Sequence, residues 1–277
     1  MPAVNIIPLG AYLVAAILYA VHFVRRSAPL GRAATTALAS GALVHTFIIG
    51  MQTMQAGHVP FAGTSQAISI FVCLLALAYL YTEMTTEERA MGVFIVPLLV
   101  LLQALPVVSP GAERRAAVLD SPWFGVHVSA LLFAYASFAL ACMIGITYVL
   151  LFKEIKAKHL GFFYARLPSL QVLDAMNLRA VTIGWVFLTV GVVVGAIWAV
   201  EARAGAIADP RLQAMSLNDP KIFVALICWA VYTFELYARG VIGWRGRRAA
   251  WLSAIGFAIV LLNFVPIGYF LTKSHNF

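Results

Sequence analysis

Residues 124–152 read FGVHVSALLFAYASFALACMIGITYVLLF, 29 positions without one Asp, Glu, Lys or Arg. A helix rises 1.5 Å per residue, so roughly 20 apolar residues cross a hydrocarbon core of about 30 Å. This stretch is long enough to span and to tilt or project beyond. A barrel strand would alternate with a period of two, and the apolar character here is continuous.

Seven further apolar runs flank it, at about 4–24, 33–54, 63–82, 91–109, 180–201, 222–243 and 250–272. The chain is 62% hydrophobic and 11% charged, against about a quarter charged in an average soluble domain. So little charge cannot cover a water-facing surface, which makes the bilayer the solvent. In that solvent every backbone polar group must be paired internally. The expected fold is all-α: a polytopic integral membrane protein of about eight transmembrane helices, forming a single transmembrane domain over residues 1–277. The first run lacks a basic leader and a small-residue cleavage site, and reads as a retained helix.

The connections alternate in charge. Of the 19 Lys and Arg, 13 fall on one side and 6 on the other, and the richer side faces the cytoplasm. Both termini are then outside. Read as a bacterial chain, the protein sits in the inner membrane. The net charge of +8 arises from these short loops, including Arg239 and the string GWRGRRAA at 243–250. It is a topology signal, and no nucleic-acid surface is expected. The inner loop 153–179 mixes charged and apolar residues, and part of it is expected to form an amphipathic helix on the membrane surface. The outer loop 202–221 is polar, with Pro210 and Pro220, and is the candidate cap. Cys73, Cys142 and Cys228 lie inside apolar runs without metal-ligand spacing and read as core-packing residues.

Six histidines divide by depth. His22 and His159 belong to the inner side, and His45 lies midway along the second run. His58, His127 and His275 lie near the outer surface. Intramembrane ionisable groups such as His45 and Glu235 serve either as functional sites or as interhelical hydrogen-bonding partners, and the residues alone leave both open. His58, in the Gly-His and Val-Pro turn of QAGHVPFAGTSQ, reads as a turn residue. Neutral imidazole is a good axial ligand for haem iron. His127 and His275 stand within a few residues of outer helix ends, so both fall near one plane. Spacing alone does not separate such a pair from two ordinary interfacial histidines.

Several strings together resemble the cytochrome c assembly family, membrane proteins that handle haem, including its CcsA-type and HemX-like branches. They are SPWFGVHVSALLFAYASFAL (121–140), RLPSLQVLDAMNLRAVTIGWVFLTVGVVVGAIWA (166–199), the long string from LNDPK at 217–221 to LLNF at 261–264, the tail LTKSHNF (271–277) and, more loosely, GHVPFAGTSQAISIF (57–71). The resemblance implies that His127 and His275 are the metal ligands of a non-covalent, b-type haem. Trp123, Trp198 and Asp219 would be further cofactor-binding positions, with Asp219, Pro220 and Lys221 ending the family's tryptophan-rich outer signature. The chain departs from that signature. RAGAIADPRLQAMSLNDPK (203–221) has no tryptophan, and Tyr237 stands where the synthetase branch has an intramembrane histidine.

The function implied is assistance to cytochrome c maturation by holding or delivering haem at the outer membrane face. The alternative is a non-haem scaffold, or a regulator of haem supply, on the same fold. Independent catalysis is not expected. The implied partners are haem, apocytochrome c, another cytochrome c assembly membrane protein and the lipid bilayer.

Overall fold

The computed structural model describes residues 2–60, 64–109, 121–158, 161, 164–203 and 220–262. These form a short 3-10 turn at Pro2–Asn5 and eight helices: α1 (Ile6–Arg25), α2 (Ala28–Ala56), α3 (Thr64–Thr86), α4 (Gly92–Val108), α5 (Pro122–Lys156), α6 (Leu170–Arg203), α7 (Pro220–Tyr237) and α8 (Arg247–Leu262). A π-turn, Ala238–Ile242, continues α7. Among the described residues, six helices are long and apolar enough to cross a membrane. The exceptions are α4, with 17 residues, and α8, described over 16. The expected run 250–272 continues past the described part of α8. The protein is an all-helical, multi-pass membrane protein.

Local chemistry sets the boundaries. α1 stops at Arg26, which takes a left-handed conformation (φ 53°). Ser27, extended, and a proline in the first turn then start α2. α2 ends at Gly57 (φ 76°), the usual solution for a helix C-terminus. Ser121 and Pro122 start α5 in the same way as α2, with proline where its missing N–H is harmless.

The helices pack as two groups. α1 to α4 contact one another, and so do α5 to α8, with α3 bridging to α5 and α6. α5 and α3 are the most enclosed spans. Lipid tails are as apolar as leucine, so close van der Waals packing and interhelical hydrogen bonds hold such a bundle together. The sequence supplies small residues at the crossings. The Gly145 position on α5 lies against the backbone of Ala250 on α8: a Cβ there would be 2.9 Å from the Ala250 carbonyl oxygen. The Tyr232 ring of α7 covers Gly256 of α8 and stacks on Phe138 of α5 at 3.6 Å between centroids.

Two WxxxT strings, Trp185–Thr189 and Trp229–Thr233, lock α6 to α7 reciprocally. Trp185 Nε1 donates to Thr233 Oγ1 at 2.7 Å, and Trp229 Nε1 donates to Thr189 Oγ1 at 2.9 Å. Interhelical hydrogen bonds in membranes contribute about 0.6 kcal/mol on average, up to about 1.7. Thr189→Val and Thr233→Val are each expected to lower stability by an amount in that range, measured as the free energy of unfolding in detergent micelles.

Three expectations need correction or refinement. The inner loop does not carry a separate surface helix at 170–179, because those residues are the first turns of α6. Arg239 is not a loop charge: it sits in the π-turn and is buried. The first correction follows from the second. Arg239 Nη1 donates to Asp174 Oδ1 at 3.0 Å, and Arg239 Nη2 donates to Asn177 Oδ1. With their polar groups satisfied inside the bundle, Asp174 and Asn177 continue a helix instead of ending one. Glu235, fully buried, is the partner of a buried cation: its Oε1 lies 3.4 Å from Arg239 Nε and accepts from Ser253 Oγ at 2.8 Å. The cysteines are buried and unpaired.

Candidate functional site

α5 and α6 run antiparallel in one register, and at three places α6 carries glycine opposite a large side chain of α5. Phe138 fills the place of a side chain at Gly184, Leu131 does so at Gly191, and His127 does so at Gly195. A Cβ on Gly195 would lie 2.5 Å from both Cε1 and Nδ1 of His127. The Cε1–Nδ1 edge of the imidazole therefore lies against α6 in space that only glycine leaves.

His127 is further fixed by a hydrogen bond of 2.7 Å between its Nδ1 and the Gly191 carbonyl. A carbonyl only accepts, so Nδ1 carries a proton, which in the neutral ring leaves the lone pair on Nε2. A backbone carbonyl on one ring nitrogen is the usual outer partner of a metal-ligating histidine, because it sets tautomer and ring orientation.

The same end of the α5–α6 pair holds an aromatic cluster. Phe124, one helical turn before His127, is buried against Trp198 with ring centroids 5.6 Å apart. Trp198 is only 2% exposed, and among the described residues its Nε1 has no hydrogen-bond partner. A buried donor left unsatisfied costs about 1–3 kcal/mol, so an indole N–H kept in this state marks a place where a ligand acceptor can bind. Trp123 is 43% exposed and lies on the outside of the helix; its neighbour Phe124 turns inward. The turn holding His58 reaches the same region, with Val59 Cγ2 3.8 Å from the Cβ position of Gly125. His58 itself has a 3.0 Å bond from Nδ1 to the carbonyl of Val59.

Of the sequence-derived site residues, the structure places His127, Trp123 and Trp198 at one end of the α5–α6 pair. Asp219 and His275, as well as His159, lie outside the described residues. Sequence reasoning missed Phe124, Gly191 and Gly195. The glycine spacing 184, 191, 195 on one helical face was the available signal. Among the described residues, no group of three or more His, Cys, Asp or Glu could hold a metal ion.

His45 and Tyr237 belong elsewhere. His45 is buried in the α1–α4 group, with Nδ1 3.0 Å from Tyr12 Oη and Nε2 2.9 Å from Ser69 Oγ. It bonds across three helices. Tyr237, at the end of α7, is 53% exposed.

Comparison with known proteins identifies the family. The family model described as "Cytochrome C assembly protein" matches residues 8–276. The chain is 28% identical over 254 residues to a protein named "Cytochrome c biogenesis protein CcsA" from Heterosigma akashiwo, covering 79% of this chain and 76% of that one. Proteins of the same name from Guillardia theta (26% identical; 84% and 81% covered) and Microcystis aeruginosa (24%; 88% and 86%) are similar along comparable lengths. A match that runs almost end to end places the chain in the cytochrome c assembly protein family.

Proposed function

We propose that this protein binds a non-covalent, b-type haem through His127 and His275, and assists cytochrome c maturation by holding or delivering it. The reading takes residues 1–277 as one transmembrane domain in a bacterial inner membrane, with both termini and the haem at the outer face. The observation that carries it is the His127 ring: Nδ1 is tied to the Gly191 carbonyl, and Gly195 makes room for the imidazole. That arrangement keeps the Nε2 lone pair on the nitrogen that ligates iron. The residues fit the cofactor in a second respect, since among the described residues the buried indole N–H of Trp198 lacks an acceptor, which a haem substituent would provide. Trp123 and Asp219 complete the proposed surround. Haem, when bound, supplies the iron for the two imidazoles and the vinyl groups that c-type cytochromes carry as thioethers.

Holding and presenting haem requires no bond-making by this chain, and apocytochrome c and a second assembly membrane protein are the proposed recipients and helpers. The absorption spectrum of protein purified after expression with ample haem tests the reading. A Soret band is expected in the wild type, with most of it lost in His127→Ala and in His275→Ala. A haem-free wild type overturns it.

One observation favours a second reading, a scaffold or regulator of haem supply that does not itself bind haem. The outer segment 203–221 carries no tryptophan, and tryptophan faces are the natural platform for a porphyrin. Full complementation of a deletion strain by the double His→Ala variant would select this reading.

A further inference from the structure

At the basic end of the bundle, α6, α7 and α8 meet in a buried cluster whose charges do not cancel. α7 passes there into the π-turn Ala238–Ile242, a widened helical turn found mostly at functional positions. Arg239, within it, donates to Asp174 Oδ1 at 3.0 Å and to Asn177 Oδ1 on α6, and its Nε lies 3.4 Å from Glu235 Oε1. One guanidinium thus serves two carboxylates. Among the described residues, no other cation lies within ion-pair distance of either. The remaining titratable neighbours carry no charge to offset the excess. They are Cys142 and Tyr148 on α5, and Cys228 and Tyr232 on α7, thiols and phenols that are neutral at pH 7. α8 contributes the hydroxyl of Ser253; its own Arg247 and Arg248 sit over the rings of Phe152 and Trp244.

The excess falls on Glu235. Its side chain is fully buried, whereas that of Asp174 is 22% exposed and reaches water. Glu235 Oε1 accepts from Ser253 Oγ at 2.8 Å. Oε2 has no hydrogen-bond partner among the described residues. An enclosed carboxylate without its own counter-charge is far less favourable than the neutral acid. Either a proton or a metal cation would restore the balance. Hard cations such as Ca²⁺ and Mg²⁺ are held by about six oxygens or more, and here one oxygen is unengaged, with a guanidinium beside it. A proton needs a single lone pair.

We propose that Glu235 is a proton-binding site inside the bundle, taking up a proton from water at the basic end and holding it on Oε2 as a carboxylic acid. One O–H bond forms, and no bond within the protein breaks. The bound proton leaves Arg239 to Asp174 and Asn177; its release makes Arg239 divide its charge between α6 and Glu235. Proton occupancy therefore acts on the hold between α6 and α7, as intramembrane carboxylates do in proton relays. The site is independent of the haem reading. It shares no residue with it and lies near the start of α6, whereas His127 packs against Gly195 near the other end of that helix.

Infrared spectroscopy of the full chain at neutral pH, in a maltoside detergent without carbonyl groups of its own, tests the proposal. Exposed acids are ionised at that pH, so a protonated carboxyl stands out by its C=O stretch. Wild type is expected to show one such band, shifted in D₂O, and Glu235→Gln to lose it. Asp174→Asn keeps an acceptor for Arg239 and for the Gly246 N–H and removes one negative charge. Glu235 then balances Arg239 as a carboxylate, so the band is expected to vanish with Glu235 still in place. Ser253→Ala removes the donor to Oε1. The band is expected to remain and to move to higher frequency, a change that misfolding cannot mimic. A wild type without the band, or a band that survives Glu235→Gln or is unchanged in Asp174→Asn and Ser253→Ala, overturns the proposal. If the band appears in wild type only after sodium and potassium are removed, an alkali cation occupies the site and the proton assignment falls.

Discussion

Arg239→Met is expected to destabilise the protein by about 3–5 kcal/mol, the range for removing one partner of a buried ion pair. Arg239 joins three helices. It bonds Asp174 and Asn177 of α6 and lies beside Glu235 of α7, while Ser253 of α8 bonds both Glu235 and Asn177. Asp174 Oδ1 also accepts the backbone N–H of Gly246, in the turn before α8, at 2.9 Å. Methionine matches the length of the arginine stem but leaves the fully buried Glu235 without its cation and the partly exposed Asp174 without its charged donor. The check is the free energy of unfolding in detergent for R239M, and for R239M with Asp174→Asn and Glu235→Gln. The neutralised triple variant is expected to recover most of the loss, because replacing an entire buried ionic group is far less harmful than removing one member. If R239M alone lies within about 1 kcal/mol of the wild type, where surface ion pairs fall, the cluster does not hold the three helices together.

That cluster also shows how far a single sequence can be read. Span positions follow from apolar runs and come out within a few residues for α1, α3, α4 and α7, because the bilayer penalises any charge left unpaired. α6 starts about ten residues earlier than its apolar run, because Asp174 and Asn177 look like loop residues until Arg239, more than 60 positions later, is brought beside them. Local pattern cannot supply such a pairing. The twin WxxxT strings and the glycines at 184, 191 and 195 were legible as features of helical faces. Which side chains fill them depends on the register of α5 against α6, and a register is a property of two segments. At the candidate site, the type and depth of His127 were legible, but its partner is a backbone carbonyl, which carries no letter of its own. The buried indole of Trp198 was expected near this end, and its unsatisfied donor became visible only with the packing of Phe124.

Gly195→Ala is expected to reduce haem occupancy about 10–100-fold while leaving every proposed ligand in place, the range seen when outer partners of metal ligands are changed. A methyl at 195 would stand 2.5 Å from two atoms of the His127 ring. The helix backbone cannot yield, so the imidazole must rotate or withdraw. Either movement breaks the 2.7 Å bond to the Gly191 carbonyl and releases the tautomer and ring orientation that this bond fixes. Gly184→Ala is the matched control. It makes the same kind of clash, against Phe138 on the same two helices, so it is expected to lower stability without changing the Soret position or the haem content of the folded fraction. Haem per folded protein, read from the Soret absorbance against the unfolding midpoint, separates the two effects. If both glycine variants lose haem only in proportion to lost stability, the orientation of His127 has no part in binding. The close approach of α6 would then serve packing alone.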